Sequence, residues 1–233
     1  MSHPVLELQA AQTMADQLAH RRARLPERDQ VQAARNDLIR WDQGRQRLRQ
    51  RLDELAGAVD QSESAAHDID EHLARLQAQL RTVIAPREAE ALQHQIASLH
   101  ERRNALDDAE LELLEEQSRL DDELTALLAQ EPSLRDTLLA TDAALSAAES
   151  DIDAELGHIA ERLDGLRAAV DPGLLQRYDR LRTHFVVAAA TLAGSRCEGC
   201  HLDLSAHEAD AVKAEIAAGR VADCPQCGRL LLR

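Results

Sequence analysis

Two cysteine pairs, Cys197-Glu198-Gly199-Cys200 and Cys224-Pro225-Gln226-Cys227-Gly228, hold the residues whose type and spacing can do chemistry in this chain. Two residues inside each pair let both sulfurs reach one ion from a tight turn. Gly199 and Gly228 are expected to free the two knuckle backbones for positive φ and to aim N–H groups at the sulfurs. The 23 residues between the pairs exceed the usual spacing of about 15–20. They leave room for a short helix over roughly Ser205–Ala217, with Ser205 as N-cap and Glu208 completing a capping box. Four thiolates, from Cys197, Cys200, Cys224 and Cys227, predict one tetrahedral Zn²⁺ with no open coordination position, hence a structural ion. That ion would supply most of the stability of a ribbon too small to build a core of its own.

Other chemistries fit less well. Cys197 to His201 spells C-x-x-C-H, a haem-attachment pattern, but it would leave the second cysteine pair without a purpose. His201 and His207 could replace a thiolate, though with four cysteines present they read as exposed residues. The remaining histidines are scattered, and no H-E-x-x-H, P-loop, G-x-S-x-G or G-x-G-x-x-G occurs. Carboxylates are plentiful, yet on coiled-coil arms they are solvated faces and interhelical partners rather than catalytic pairs in a pocket. Neither an enzyme nor a small-molecule substrate is expected.

The elements that must carry the cysteines are helical. The 233 residues contain one Trp, one Tyr and one Phe, and 30% of them are charged, a profile of long helices that bury a narrow seam. A 4-3 apolar spacing runs from Leu48 through Leu55, Ile69, Leu73 and Leu76 to Val83, and resumes from Leu92 through Leu99, Leu113 and Leu120 to Leu127. Between the halves, Thr82 to Arg87 includes Pro86, which suits the first turn of a new helix and disfavours helix at Ala85. The expected fold is mostly α: a long kinked antiparallel coiled-coil hairpin over residues 1–171 with its turn near 82–87, then a small C4 zinc-ribbon domain over 172–233. Pro26 and Pro132 interrupt the arms. Because the heptads continue past Pro132 through Leu134, Leu138, Leu145, Ile152 and Ile159, a kink that keeps register is predicted there. Asp171-Pro172-Gly173 marks the boundary, followed by a helix over Leu174–Thr183 and a strand over Phe185–Leu192.

Charge limits the partners. Residues 1–171 carry 19 Arg against 35 acids, a balance of −16, while 172–233 carry 8 Lys plus Arg against 7 acids, a balance of +1. An acidic rod repels nucleic acid, so any such contact would be local. Ten arginines between Arg21 and Arg51 tempt a nucleic-acid reading. A turn near residue 84 instead places Arg45, Arg47, Arg49 and Arg51 opposite residues 118–124, where Asp121, Asp122 and Glu123 sit, so interhelical ion pairs are expected. No apolar run approaches the ~20 residues of a membrane helix, and Met1–Ala10 shows no secretory pattern. A cytoplasmic, reducing location is expected, where cysteine pairs serve as metal ligands.

Three stretches carry a resemblance: Arg87 to Ile96, Leu111 to Glu115, and Cys224-Pro225-Gln226-Cys227-Gly228-Arg229. Through them the chain resembles the bacterial C4-type zinc-ribbon family with a coiled-coil hairpin, long catalogued as a domain of unknown function. The resemblance covers nearly the whole chain. It implies a kinked hairpin, a C-terminal zinc ribbon, a role in nucleic-acid or partner binding, and partners in transcription and flagellar export. Leu232 departs from it, since the family often ends on an aromatic there. Two functions follow as expectations. The first is a non-enzymatic interaction scaffold or adaptor holding protein partners. The second is RNA or DNA binding by the ribbon through Arg196, Lys213, Arg220, Arg229 and Arg233. A near-neutral ribbon with no aromatic after Phe185 offers little stacking surface, which favours the scaffold.

Overall fold

The computed structural model describes residues 3–232. Six helices and four short strands follow in the order α1 (Pro4–Ala23), α2 (Pro26–Leu80), α3 (Pro86–Leu128), α4 (Glu131–Ala169), α5 (Pro172–Arg182), β1 (Ala189–Ala193), β2 (Arg196–Cys197), α6 (Ala206–Ala217), β3 (Ala222–Asp223) and β4 (Leu230–Leu232). A proline stands first or second in each of α1 to α5. There its missing N–H costs nothing, and its fixed φ prepares the first turn. Pro26 and Pro132 therefore start new helices after short breaks, as Pro86 does after the turn. The result is a hairpin of long, kinked helices with a small C-terminal ribbon.

The chain divides into two compact units, one from Val31 to Thr141 and the other combining the residues up to Gln30 with those from Asp142 onward. In the first, α2 and α3 pair across the turn at residues 81–85. Ile69, Leu73, Leu76 and Leu99 are buried together, with Leu92, Ile96 and Leu106 packed against them. These are heptad positions, so the seam is the one the 4-3 pattern requires. Farther along, the Trp41 indole N–H donates to the Leu127 carbonyl at 2.8 Å. The Leu127 carbonyl, in the last turn of α3, also accepts from the Gln130 N–H at 3.1 Å, so Trp41 adds a second donor there. The expected row of ion pairs is not what forms. Among the described residues, Arg51 alone of its group pairs across the seam, meeting Glu116 at 3.0 Å. Arg45 instead holds Asp42 on its own helix and lies over the Trp41 ring. Glu123 is taken by Arg119 one turn away. Local i,i+3 and i,i+4 pairs need less ordering of long side chains than pairs across a seam.

The second unit is layered. Its sheet has the order β2-β1-β4-β3, with β1 parallel to β4 and the other pairings antiparallel. Strand alternation splits the side chains between two faces. Ala189, Leu230 and Leu232 face a core with Val5 and Leu8 of α1, Tyr178 of α5 and Val170. Ala190, Leu231 and Ala222 face Ala209 and Val212 of α6, together with Cys197 and Cys224. The N-terminal helix, read from sequence as part of the hairpin arm, thus forms one layer of the ribbon's core. Asp171 caps α5, its carboxylate accepting from the N–H groups of Gly173 and Leu174 at 3.0 Å.

The strand after α5 is shorter than expected and begins at Ala189. Side chains take the Val186 and Val187 carbonyls and the Ala188 N–H, while the Ala188 carbonyl already accepts from the Leu230 N–H of β4 at 2.9 Å. Gln9, only 5% exposed, accepts from the Ala188 N–H at 2.7 Å and donates to the Val186 carbonyl at 3.2 Å. Arg229 Nε donates to the Val187 carbonyl at 2.7 Å. Arg182 bonds the Val186 carbonyl and reaches Asp16 at 2.9 Å.

Candidate metal centre

Cys197 ends β2 and Cys224 follows β3, so the sheet carries the first cysteine of each pair and a tight turn returns the second. One ligand atom from each of Cys197, Cys200, Cys224 and Cys227 lies within 4.8 Å of the others. The two turns repeat the same hydrogen bonds. Cys197 N–H donates to the Leu202 carbonyl and Cys224 N–H to that of Arg229, at 3.1 and 2.8 Å. His201 N–H closes on the Cys197 carbonyl at 2.7 Å, and Gly228 N–H on the Cys224 carbonyl at 2.8 Å. The residue after each second cysteine has positive φ, 74° at Gly228 and 61° at His201. Positive φ was expected at Gly199, and its role differs. A Cβ there would stand 2.8 Å from Arg229 Cδ and 3.2 Å from the Ala190 Cβ, so glycine allows close packing instead. His201 adopts the left-handed conformation without glycine's freedom, a strained choice for a residue with a Cβ.

The donor set fits a metal. Cys197 is 0% exposed and Cys224 2% exposed, with Cys200 and Cys227 partly covered. Burial pushes the Cys224 thiol up to about 12 and also raises Cys200. For Cys227, burial acts in the same direction, but hydrogen bonds from the Arg229 backbone and side chain and from neighbouring thiols bring it to about 7. Sheltered thiols of this kind ionise together only around a cation, whose charge inverts the penalty. Four thiolates with Zn–S bonds of about 2.3 Å would sit about 3.8 Å apart, a spacing that fits a cluster whose ligand atoms all lie within 4.8 Å of one another. The four cysteines are positioned for metal binding. His201 and His207 are exposed and stand outside the cluster.

Helix α6 begins at its expected cap. The Ser205 hydroxyl accepts from the Glu208 N–H, and the Glu208 carboxylate accepts from the Ser205 N–H at 2.8 Å. The Ser205 hydroxyl and backbone hold the Glu208 carboxyl below its ordinary range. Gln226 of the second knuckle donates to the same carboxylate at 3.2 Å, tying the start of α6 to the metal turn.

Among the described candidate contact residues, three arginines have partners within the ribbon. Arg196 Nε donates to the His201 carbonyl at 3.1 Å and braces the first knuckle. The Arg229 guanidinium lies 4.0 Å from the Phe185 ring centroid while bonding Val187. Arg220 forms a two-pronged pair with Glu215 at 2.8 and 2.9 Å. Lys213 is exposed beside Leu192, Ile216 and Leu232, and Arg233 lies outside the described residues. Sequence reasoning missed Arg177 and Arg180 of α5 and His184 in the turn after it, which line a concavity with Asp223 and Gly228. The i, i+3 spacing of Arg177 and Arg180 on α5 is the one local signal, and it does not outline the pocket.

A long helical hairpin bearing a layered four-cysteine ribbon defines the class of this molecule. The chain belongs to the family of the CT398-like coiled coil hairpin domain, which matches residues 8–185, and residues 196–231 match the C4-type zinc ribbon domain. It is 32% identical over 236 residues to Rv2229c of Mycobacterium tuberculosis, a protein described as uncharacterized, covering 98% of this chain and 94% of that one. Three solved structures share the fold. A Mycobacterium smegmatis protein is 24% identical with a TM-score of 0.70, covering 99% of this chain and 96% of that one. CT398 from Chlamydia trachomatis is 18% identical with a TM-score of 0.79, covering 98% and 95%. HP0958 from Helicobacter pylori is 20% identical with a TM-score of 0.58, again covering 98% and 95%.

Proposed function

We propose that this protein is a non-enzymatic scaffold, in which a single structural Zn²⁺ on Cys197, Cys200, Cys224 and Cys227 fixes the ribbon, and hairpin and ribbon together bind protein partners. Four thiolates fill the tetrahedral shell of zinc, leaving no position to activate water or polarise a substrate. The observation that carries the choice of partner is how the ribbon spends its cations. Arg196, Arg220 and Arg229 are engaged by the ribbon's own carbonyls, carboxylate and aromatic ring. A nucleic-acid module keeps such groups free for phosphates and keeps aromatic faces open for bases. Here Phe185 is covered by Arg229, and the whole chain carries −15. Among the described helices none is long and apolar enough to cross a membrane. The scaffold works in a reducing compartment such as the cytoplasm, where its thiols remain ligands.

Capture from lysate with the full-length, zinc-loaded chain tests this reading, run with and without nuclease. Protein capture that survives nuclease is expected. In parallel, a labelled RNA or DNA oligonucleotide should bind with Kd on the order of 10⁻⁵ M or weaker at physiological salt. Capture abolished by nuclease, together with tight oligonucleotide binding lost on Lys213→Glu, would establish the nucleic-acid alternative instead.

A further inference from the structure

On α5, Arg177, Arg180 and Leu181 fall at i, i+3 and i+4 and so form a single stripe, which His184 extends in the turn just past the helix end. With Asp223 of β3 and Gly228 of the second metal turn, that stripe lines a concavity of about 360 Å³. Its charges do not cancel. Asp223 bonds Arg177 at 2.7 Å and is the pocket's one carboxylate. The neighbouring arginines are also taken, Arg182 by Asp16 and Arg167 by Asp179. Arg180 and His184 stand exposed on the rim, and among the described residues neither forms an ion pair. The end of α5 attracts cations through its dipole, but Arg182 occupies the same last turn, so Arg180 is not required for that purpose. The floor is apolar at Leu181, and a Cβ at Gly228 would meet nothing within 4 Å, so the knuckle backbone leaves the mouth open.

We propose that this pocket docks an acidic segment of a protein partner, with a carboxylate bridged by Arg180 and His184 and an adjacent apolar side chain resting on Leu181. The proposal rests on the scaffold reading and names the chemistry of one of its partners. Local charge selects the occupant. The rest of the chain is acidic and repels an extended polyanion along its length, whereas a short peptide needs to meet only this cluster. A base has no ring to stack on, because Arg229 covers Phe185. A carboxylate between a guanidinium and an imidazole makes charge-assisted hydrogen bonds, and the apolar floor adds burial next to them.

Dodecapeptides selected by phage display on the full-length, zinc-loaded protein supply the probe. Selected peptides should carry Asp or Glu beside a Leu, Ile or Phe. Their affinity should fall about tenfold or more on Arg180→Glu, the loss expected for one charge-assisted contact, and about as much on His184→Glu. Lys213→Glu, on a different face of the ribbon, should leave it unchanged. Retained zinc and an unchanged melting temperature would show that the variants fold. Failure to select any acidic-apolar peptide, or peptides indifferent to Arg180→Glu, would overturn the proposal. So would an oligonucleotide that competes them off. The scaffold reading is judged separately. If Arg180→Glu still captures the same lysate proteins as wild type, the pocket assignment fails and the scaffold stands. If wild type captures none, the scaffold reading itself fails.

Discussion

Between Val31 and Thr141, two helices share a seam about one side chain wide, whereas the ribbon-bearing unit stacks helices on both faces of a small sheet and adds a metal cluster. The contrast lies in where stability resides. Along the seam, heptad positions such as Leu113, Gln117 and Leu124 remain partly exposed, and each contributes a modest, repeated increment. In the ribbon unit, Leu8, Tyr178, Leu230 and Leu231 are almost wholly buried, and Leu8 joins Tyr178 and Leu230 from more than 150 positions away in the chain. A periodic seam tolerates local damage, because neighbouring heptads keep the helices paired. A small layered core does not, because each layer is needed to cover the next.

The sharpest way to break that comparison is to remove a ligand. Cys224→Ser should release the metal and unfold the ribbon, with a loss on the order of 10 kcal/mol of metal-linked folding energy. Native mass spectrometry should show the lost ion, while far-ultraviolet circular dichroism should keep most of its helical amplitude. A collapse of the whole helical signal would mean that the seam depends on the ribbon.

Next in size is the layer contributed by the N-terminal helix. Leu8→Ala deletes a fully buried side chain and should cost about 2–5 kcal/mol, read as faster hydrogen exchange at the amides of Ala188 to Ala190 and Leu230. Equal exchange in variant and wild type would show that α1 is not a working part of that core.

A smaller effect is expected at Gln9. Gln9→Ala strips the Ala188 N–H of its acceptor in a buried site, which should cost about 1–3 kcal/mol. Gln9→Glu keeps the acceptor but loses the bond to the Val186 carbonyl, so it should fall between wild type and alanine in thermal denaturation. An alanine variant as stable as wild type would refute the role of Gln9 as a substitute strand.

Smallest of all is one of the seam's surface pairs, Arg51–Glu116, which with Arg103–Asp70 crosses between α2 and α3. Glu116→Gln removes the partner that Arg51 reaches across the helices, with Arg51 exposed and Glu116 about half-buried. Solvent and salt weaken such pairs, so melting should scarcely change and the difference should vanish at high ionic strength. A large, salt-resistant loss would show that ion pairs, not the apolar seam, set the register.

Much of this was legible before any coordinates. Period and punctuation announce themselves locally: the 4-3 spacing, prolines at helix starts, Ser205 with Glu208 at a cap, and two cysteine pairs with ligand spacing. Each depends on residues within a few positions of one another, so the chain itself determined the hairpin, its turn, α6 and the metal-ligand set. The tertiary structure decided everything that relied on distant partners. Val5 and Leu8 look like ordinary helix residues until Tyr178 and Leu230 meet them. Gln9 looks like one more polar side chain until its amide closes the backbone of residues 186–189. Arg196, Arg220 and Arg229 read as free cations until carbonyls, Glu215 and Phe185 claim them, while Arg180 stays open on a pocket that no local pattern outlines. The reason is the range of the interaction. Capping, turn and ligand spacing are fixed by covalent geometry, whereas burial and charge pairing depend on which surfaces the fold brings together.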